Sequence, residues 1–451
     1  MRKMWYIFSV FVLSHNIFAV PLTNMNIQPE IFVGRDREMQ TLENALVRDK
    51  TALIHGLAGV GKTTLVKNYV LLNEDKYNII WYVNCDSGAE ESLLKLTNIL
   101  HQNKIIGNLY VGDSDVVLSQ LGRFLRETKL KWLLIFDNYQ ESEYEKYSGN
   151  GDIIYVSRKE HYMRNPILVD YFNNDDSQLL MKKLLPKYEE NTFTLPGHPL
   201  TLIHMAKLID LGNSNIIDLV NEKFTSLLES TFEKIALDKN VFYFIKYLPN
   251  NEIPGNLLKI YLGNNFENVI SILKSYSLIR DSWDKKGEYI MHDNVKKIIE
   301  TSQLFKDEIL DQVAFKNYIQ SLNKLLPYSF FEIGVFFKEY PILKKTMFKA
   351  ANNIISSGNV SSDDITLVIR AMQIALLDFD YKTLEEIRQY LANQSLKNIH
   401  PTSKVMYDIT EADYHAFKHG NNELALQILK KSLMSLSNEY KLERFLLNDQ
   451  I

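Results

Sequence analysis

A glycine-rich segment at residues 56–64 carries the residues whose types and spacing most directly predict chemistry. It reads Gly56-Leu57-Ala58-Gly59-Val60-Gly61-Lys62-Thr63-Thr64 and follows an apolar run at 52–54. The pattern G-x-x-x-x-G-K-[ST] between a strand and a helix allows successive backbone N–H groups to converge on phosphate oxygens. Lys62 would neutralise phosphate charge, and the Thr63 hydroxyl would bind Mg²⁺. The segment therefore predicts a nucleotide phosphate site.

Two later apolar runs each lead into residues that suit such a site. The run at 132–136 ends in Asp137-Asn138, and the run at 153–156 ends in Ser157-Arg158. A carboxylate at a strand end can hold Mg²⁺ through water, and a guanidinium binds phosphate oxygens in a bidentate fork. Active ATPases of this broad class usually carry Glu or Asp in place of Asn138, whose amide can orient a water but cannot take its proton. We therefore predict strong nucleotide binding and slow hydrolysis, with Asp137, Asn138 and Arg158 as the catalytic residues.

The alternation of apolar runs with amphipathic segments indicates how these residues are positioned. The runs cover 52–54, 79–83, 132–136 and 153–156. Runs that are apolar on both faces and separated by helical stretches indicate a parallel sheet with helices on both sides. Right-handed crossovers then bring the carboxyl ends of the strands to one edge, where ligands bind.

Helical periodicity takes over past about residue 165, with one exception. Two short apolar segments at 277–279 and 289–290 flank a polar turn at 284–287, and this pattern is typical of the wing of a winged helix. From residue 301 the chain reads as helix pairs. Small residues at 416, 425 and 432, with Gly420 between the helices, resemble one tetratricopeptide repeat, and generic helical packing is the alternative. A repeat array would present a concave surface for a protein or peptide.

Length and composition set the class of protein. A chain of 451 residues predicts several domains, and 51 basic against 55 acidic residues leave a net charge of −4. This balance gives no global positive field for nucleic acid. The single cysteine, Cys85, excludes an intramolecular disulfide and a cysteine-based zinc site, and we interpret it as a small buried residue.

The first nineteen residues have the layout of a secretory signal peptide. Arg2 and Lys3 precede an apolar run at 5–13, and Ala19 suits the last position before cleavage, although Ile17 departs from the usual small residue. The run is too short and interrupted for a permanent membrane span. Export, with action in another cell's nucleotide-containing cytosol, is the first hypothesis. A cytoplasmic protein with a buried N-terminal helix or a misassigned start is the alternative.

Taken in order, these motifs resemble the NB-ARC group of STAND-type signal-transduction P-loop NTPases. The resemblance rests on six segments that together cover residues 31 to about 300: 32–38, 56–64, 132–138, 155–158, 195–202 and 289–293. Asp36, Ala58 and His198 stand where the family usually has Glu, Gly and Leu. The resemblance implies an α/β P-loop NTPase domain with a parallel sheet and helices on both faces. A small helical domain, a winged helix and an all-α helical-repeat region that is TPR-like would follow it.

The resemblance also implies roles for individual residues. Val33 and Arg35 would line the adenine side, Pro199 would pack on the base, and His292 of the M-H-D motif would reach the β-phosphate of ADP. Thr63 and Asp137 would hold Mg²⁺. The implied nucleotide-binding set comprises Val33, Arg35, Gly56, Gly59, Val60, Gly61, Lys62, Thr63, Thr64, Pro199 and His292.

The implied organisation leads to three functional hypotheses. The expected boundaries are a signal peptide at 1–19, a linker at 20–30, a P-loop domain at 31–165, a small helical domain at 166–225, a winged helix at 226–300 and a helical TPR-like region at 301–451.

The first functional hypothesis is an ADP/ATP-dependent switch that is a slow ATPase at most. It would have a protein or peptide ligand, no nucleic acid and no permanent membrane span. Homo-oligomerisation on activation stays open. The alternatives are an AAA-type working ATPase or loader, and an exported binding module whose nucleotide site is only structural.

Overall fold

The structure is a computed structural model in which the chain forms two compact units. The first comprises Met1–Asn221 and Trp283–Lys286, and the second comprises Glu222–Ser282 and Gly287–Ile451. The predicted signal peptide lies outside the described residues. These are 21–26, 31–86, 89–107, 114–140, 147–160, 165–188, 194–210, 212, 219–220, 222–248, 251–326, 333, 336–337, 341–357, 361–394, 396 and 399–436.

A parallel sheet forms the centre of the first unit. In the described part of this unit, its strands are β1 (Leu22–Thr23), β2 (Thr51–His55), β3 (Ile79–Asn84), β4 (Trp132–Asp137), β5 (Gly151–Ser157) and β6 (Ile167–Leu168). They pair in the order β1-β3-β4-β5-β2-β6, and every pairing is parallel. The four predicted strands are thus present, and β5 lies between β2 and β4.

Helices cover both faces of this sheet. Successive residues of each central strand face opposite sides, so that Ile80 and Tyr82 join one apolar cluster whereas Trp81 and Val83 join another. All six residues of β3 and of β4 are buried, as the uninterrupted apolar runs require. The helices of this unit are α1 (Asp36–Asp49), α2 (Lys62–Asn73), α3 (Ala89–Gln102), α4 (Ser114–Glu127), α5 (Asn174–Leu184) and α6 (Pro199–Asp210).

Two short edge strands were not predicted. Leu22 and Thr23 pair with β3 although the segment 20–30 was expected to be a linker, and Ile167 and Leu168 pair with β2 just beyond the point where the strand pattern fades. A two-residue strand shows no alternation in the sequence, and its pairing depends on the neighbouring strand that already exists.

The second unit is largely helical. Its helices are α7 (Phe224–Lys234), α8 (Lys239–Tyr247), α9 (Gly255–Leu262), α10 (Phe266–Ser275), α11 (Asp293–Thr301), α12 (Glu308–Leu325), α13 (Pro341–Ser357), α14 (Ser362–Leu377), α15 (Tyr381–Ala392), α16 (Pro401–His419) and α17 (Asn422–Ser435). One large apolar cluster runs through it from α7 into α16.

A small antiparallel sheet lies within this unit. Strands β8 (Ile279–Asp281) and β9 (Tyr289–Met291) pair as the predicted hairpin, and β7 (Glu252–Ile253) pairs with the other side of β9. The hairpin matches the predicted pair of strands, with β8 two residues later than expected. Assignment of this region as a winged helix stays a prediction.

The last two described helices form a closely packed pair. Val405, Ile409 and Ala412 of α16 share an apolar cluster with Ala425 and Leu429 of α17. Gly420 ends α16 in the left-handed region at φ 63°, where glycine carries no side-chain penalty, and thereby reverses the chain. Within the described residues, no helix is both long and apolar enough to cross a membrane.

A buried lysine stabilises the end of one helix in this unit. The Nζ of Lys296, on α11, donates to the backbone carbonyls of Ile245, Lys246 and Leu248 at 2.5, 3.1 and 3.1 Å. These carbonyls end α8, where the helix itself supplies no partner for them. Burial lowers the pKa of Lys296 to about 7.

Replacing this amine should destabilise the second unit. We expect Lys296→Met to lower the free energy of unfolding by about 2–3 kcal/mol, because three backbone carbonyls in a buried setting lose their hydrogen-bond donor. Lys297→Met is the matched control, since the adjacent side chain is exposed, and it should change stability by less than about 0.5 kcal/mol. Urea unfolding followed by circular dichroism measures both. Equal stability of the two variants would show that Lys296 has no such role.

Candidate functional site

The loop between β2 and α2 has the backbone geometry of a phosphate cradle. Gly59 and Gly61 have φ values of 82° and 97°, in the left-handed region that favours glycine. Gly61 also immediately precedes α2, so the first N–H groups of that helix face the loop without helical partners. Because an anion is favoured at a helix N-terminus, this segment suits a phosphate group.

Lys62 folds back over this loop. Its Nζ donates to the carbonyls of Gly56 at 2.9 Å and Leu57 at 2.7 Å, and the residue is buried. Burial lowers the pKa of Lys62 to about 8; the charge of Asp137 raises it, and the charge of Arg158 lowers it further. The structure therefore brings the predicted lysine, aspartate and arginine to the same edge of the sheet.

The carboxylate of Asp137 lies at the end of β4 and is held by hydrogen bonds. Its Oδ2 accepts from the Tyr82 hydroxyl at 2.9 Å, and its Oδ1 accepts from the Asn138 backbone N–H at 2.9 Å. Asn138 has φ 57°, and its side-chain amide donates to Asn84 Oδ1 at 3.4 Å. The two asparagines and Asp137 thus form one polar group at the carboxyl ends of β3 and β4.

The remaining predicted cations and metal ligands lie near these strand ends. Arg158 follows β5 directly and is exposed. Thr63 is the second residue of α2 and is half-buried, and Thr64 follows it with similar exposure. A Mg²⁺ site formed by Thr63 and Asp137 fits this donor set of hydroxyl and carboxylate oxygens, and it stays a prediction.

Arg35 is enclosed by the protein, which the sequence did not indicate. Its guanidinium donates to the carbonyls of Val60 at 3.1 Å and Asp170 at 2.6 Å. It also lies over the ring of Phe172 at 4.4 Å and pairs with Glu38. These contacts connect the loop to the segment after β6. The implied roles of Arg35 and of buried Val33 beside an adenine stay predictions.

The segment that begins α6 also meets the loop. Pro199 is the first residue of α6 and is buried. His198, immediately before it, has Nε2 2.9 Å from the Ala58 carbonyl oxygen. Both residues belong to the first unit, as does the whole cradle.

His292 belongs to the second unit. It is the N-cap of α11, and its Nδ1 accepts from the Asn294 backbone N–H at 3.2 Å. The structure thus places His292 at the start of a helix. The implied contact of His292 with a β-phosphate stays a prediction.

A comparison with solved structures bears on the fold. The STAND protein with a tetratricopeptide repeat sensor from Pyrococcus horikoshii is 17% identical, aligns over 91% of this chain and 72% of its own, and gives a TM-score of 0.50. This chain shares the fold of a STAND protein. A parallel sheet with helices, followed by a largely helical region, is therefore its architecture, as predicted.

Other matches are more distant. A Walker-type ATPase of Pyrococcus abyssi is 17% identical over 63% of this chain and 99% of its own, with a TM-score of 0.33. Cdc6p from Pyrobaculum aerophilum is 14% identical over 65% of this chain and 96% of its own, with a TM-score of 0.29. Such scores carry no inference about function. No family model matches the sequence, and no curated protein matches it.

Several site residues escaped the sequence reasoning. Tyr82 and Asn84 lie inside or at the end of an apolar run, and Phe172 and Asp170 follow a strand that was itself not predicted. Asn84 alone could have been recognised from the sequence, because it is a polar residue at the end of an apolar run. Cys85 follows it and has intermediate exposure, whereas the sequence predicted a buried residue. Desolvation raises the pKa of its thiol to about 12, which disfavours the reactive thiolate.

Anion binding at this loop should be coupled to protonation of Lys62. Without ligand, about half of Lys62 is neutral near pH 8, whereas bound phosphate would favour its charged form and raise its pKa. We therefore expect ADP binding to take up a proton near pH 8.5 but hardly at pH 7, and ADP affinity to fall as pH rises above about 8.

Calorimetric titrations in buffers of different ionisation enthalpy measure this proton uptake. Lys62→Arg is the control, because an arginine stays charged throughout this pH range and should abolish the uptake at high pH. Equal proton uptake by the wild type at both pH values would contradict the assignment.

Proposed function

We propose that this protein is a nucleotide-dependent molecular switch that binds ADP and ATP with Mg²⁺ and hydrolyses ATP slowly. One observation carries this proposal: the loop 56–61, Lys62, Asp137 and Arg158 lie at the same edge of the sheet. Phosphate would bind the loop N–H groups and Lys62, and Mg²⁺ would bind Thr63 and Asp137. Val33, Arg35, Thr64 and Pro199 would complete the nucleotide site.

Slow turnover follows from the groups beside Asp137. Tyr82 and Asn138 donate hydrogen bonds to its carboxylate, and Asn138 and Asn84 bond to one another. An asparagine amide can orient a water, but it cannot accept the proton of that water at neutral pH. Bound ATP would therefore be hydrolysed slowly, as a switch requires.

A switch also needs two states with different affinity for the two nucleotides. A ligand shifts such an equilibrium only by its differential affinity. We propose an NB-ARC-like protein in which His292 of a winged helix contacts ADP only in a closed state. ADP would then favour the closed state, whereas ATP, through Arg158 and Mg²⁺, would favour an open state. The helical region would bind a protein or peptide, and the N-terminal signal peptide would direct export.

The first test concerns binding and turnover. We expect the purified protein to carry ADP and to hydrolyse fewer than about one ATP per second. Lys62→Ala should weaken ADP binding about 100-fold, because a charged donor to phosphate is lost. Asn138→Asp should raise turnover on the order of tenfold or more, since it supplies a base of the same size.

Titration calorimetry and steady-state phosphate release provide these values. A wild-type turnover well above one per second would instead favour a working ATPase or loader. Full biological activity of Lys62→Ala would favour a binding module with a purely structural nucleotide site.

The second test concerns His292. We expect His292→Ala to raise the ADP dissociation rate about tenfold, because the closed state loses a contact with the ligand. Since His292 also caps α11, His292→Asn is the matched control: asparagine is a good N-cap but lacks the imidazole. Stopped-flow release of a fluorescent ADP measures both. Faster release from the alanine variant alone would assign the effect to the helix cap and contradict the lock.

A further inference from the structure

Two side chains hydrogen-bond to backbone carbonyls of the phosphate loop, on either side of Gly59. His198 Nε2 lies 2.9 Å from the carbonyl oxygen of Ala58, and Arg35 donates to the carbonyl oxygen of Val60 at 3.1 Å. His198 is also one of the positions at which this chain departs from the family pattern. A leucine there could not form this hydrogen bond.

The hydrogen bonds around His198 identify which ring nitrogen carries the proton. The backbone N–H of Thr201 donates to Nδ1 at 3.3 Å, and the Thr201 hydroxyl lies 2.8 Å from the same atom. A backbone N–H can only donate, so Nδ1 is an acceptor and the proton resides on Nε2. His198 is therefore a neutral ring that donates to Ala58. Burial lowers its pKa, which favours the same form.

These two contacts fix the orientation of two peptide groups in the loop. In a planar trans peptide, the C=O of one residue and the N–H of the next point in opposite directions. The Gly59 N–H therefore points away from His198, and the Gly61 N–H points away from Arg35. Backbone N–H groups left free of carbonyl partners in such a loop can bind an anion.

The fit between His198 and the loop is close. A Cβ added to Gly59 would lie 2.7 Å from His198 Nε2 and 2.8 Å from its Cε1, which real side chains do not tolerate. The ring also contacts Tyr171 edge-on, with 5.7 Å between ring centroids. His198 is thus half-buried and contacts the loop, the segment after β6 and the start of α6.

We propose that His198 is a positioning residue that presets the phosphate loop and thereby raises affinity for the diphosphate part of a nucleotide. This inference rests on the proposed nucleotide-binding function and deepens it. The ring acts through the loop backbone and links α6 to the cradle. Affinity for ADP should depend on His198 much more than affinity for AMP, which lacks the second phosphate.

The test compares substitutions at this position by titration calorimetry with ADP and with AMP. We expect His198→Leu to weaken ADP binding about five- to tenfold, which corresponds to loss of one hydrogen bond, and to change AMP binding less than about twofold. His198→Gln, whose amide can donate to Ala58, should recover most of the lost ADP affinity. Lys207→Ala, further along α6, is the control for general effects of changing this helix.

The possible outcomes distinguish the role of His198 from nucleotide binding itself. Wild-type ADP affinity in His198→Leu, equal loss of ADP and AMP affinity, or no recovery in His198→Gln would overturn the role of His198 while leaving nucleotide binding intact. Absence of ADP binding by the wild type would overturn the proposed function and this inference with it. If the leucine variant does not fold, ¹⁵N spectra of the wild-type imidazole decide instead: a proton on Nε2 supports the proposal, and a proton on Nδ1 contradicts it.

Discussion

The parallel pairing of β2, β3, β4 and β5 is the constraint on which the rest of the first unit depends. All four strands run in the same direction, so their carboxyl ends meet at one edge. Residues that are far apart in the sequence, such as Lys62, Asp137 and Arg158, become neighbours there because each follows a strand. A shift of register by one residue would exchange the side chains of the two apolar clusters and disturb the packing on both faces. The position of the polar groups is therefore set by the packing of apolar ones.

Electrostatics make this edge suited to an anion. Lys62 and Arg158 bring two positive charges together, and burial of Lys62 costs hydration energy that its two carbonyl contacts offset only in part. A bound phosphate group would add negative charge beside these two cations. Arg35 and His198 hold two of the loop carbonyls, which would reduce the rearrangement needed on binding. Preorganisation of this kind strengthens binding by reducing the entropy lost when the ligand arrives.

Much of this could be predicted from the sequence, and the exceptions have physical causes. Long apolar runs and the G-x-x-x-x-G-K-T pattern specify the central strands, the cradle and its partners, because these features depend on local composition and spacing. The edge strand at Leu22–Thr23 could not be predicted, since two residues carry no periodicity and pair only with an existing neighbour. The contacts of Arg35 with Val60 and Asp170 span residues distant in sequence and follow from tertiary packing alone. His198 and Ala58 were both visible as departures from a family pattern, but the hydrogen bond between them was not.

The central claim is that ADP and ATP stabilise different states of one protein. Hydrogen exchange measured by mass spectrometry on the full chain, with ADP and with a non-hydrolysable ATP analogue plus Mg²⁺, tests it most directly. The account predicts protection of residues 56–64 with either nucleotide, together with different exchange of 194–210 and 289–301 between the two. Protection of the loop with identical exchange elsewhere would contradict a switch and leave only a nucleotide-binding protein.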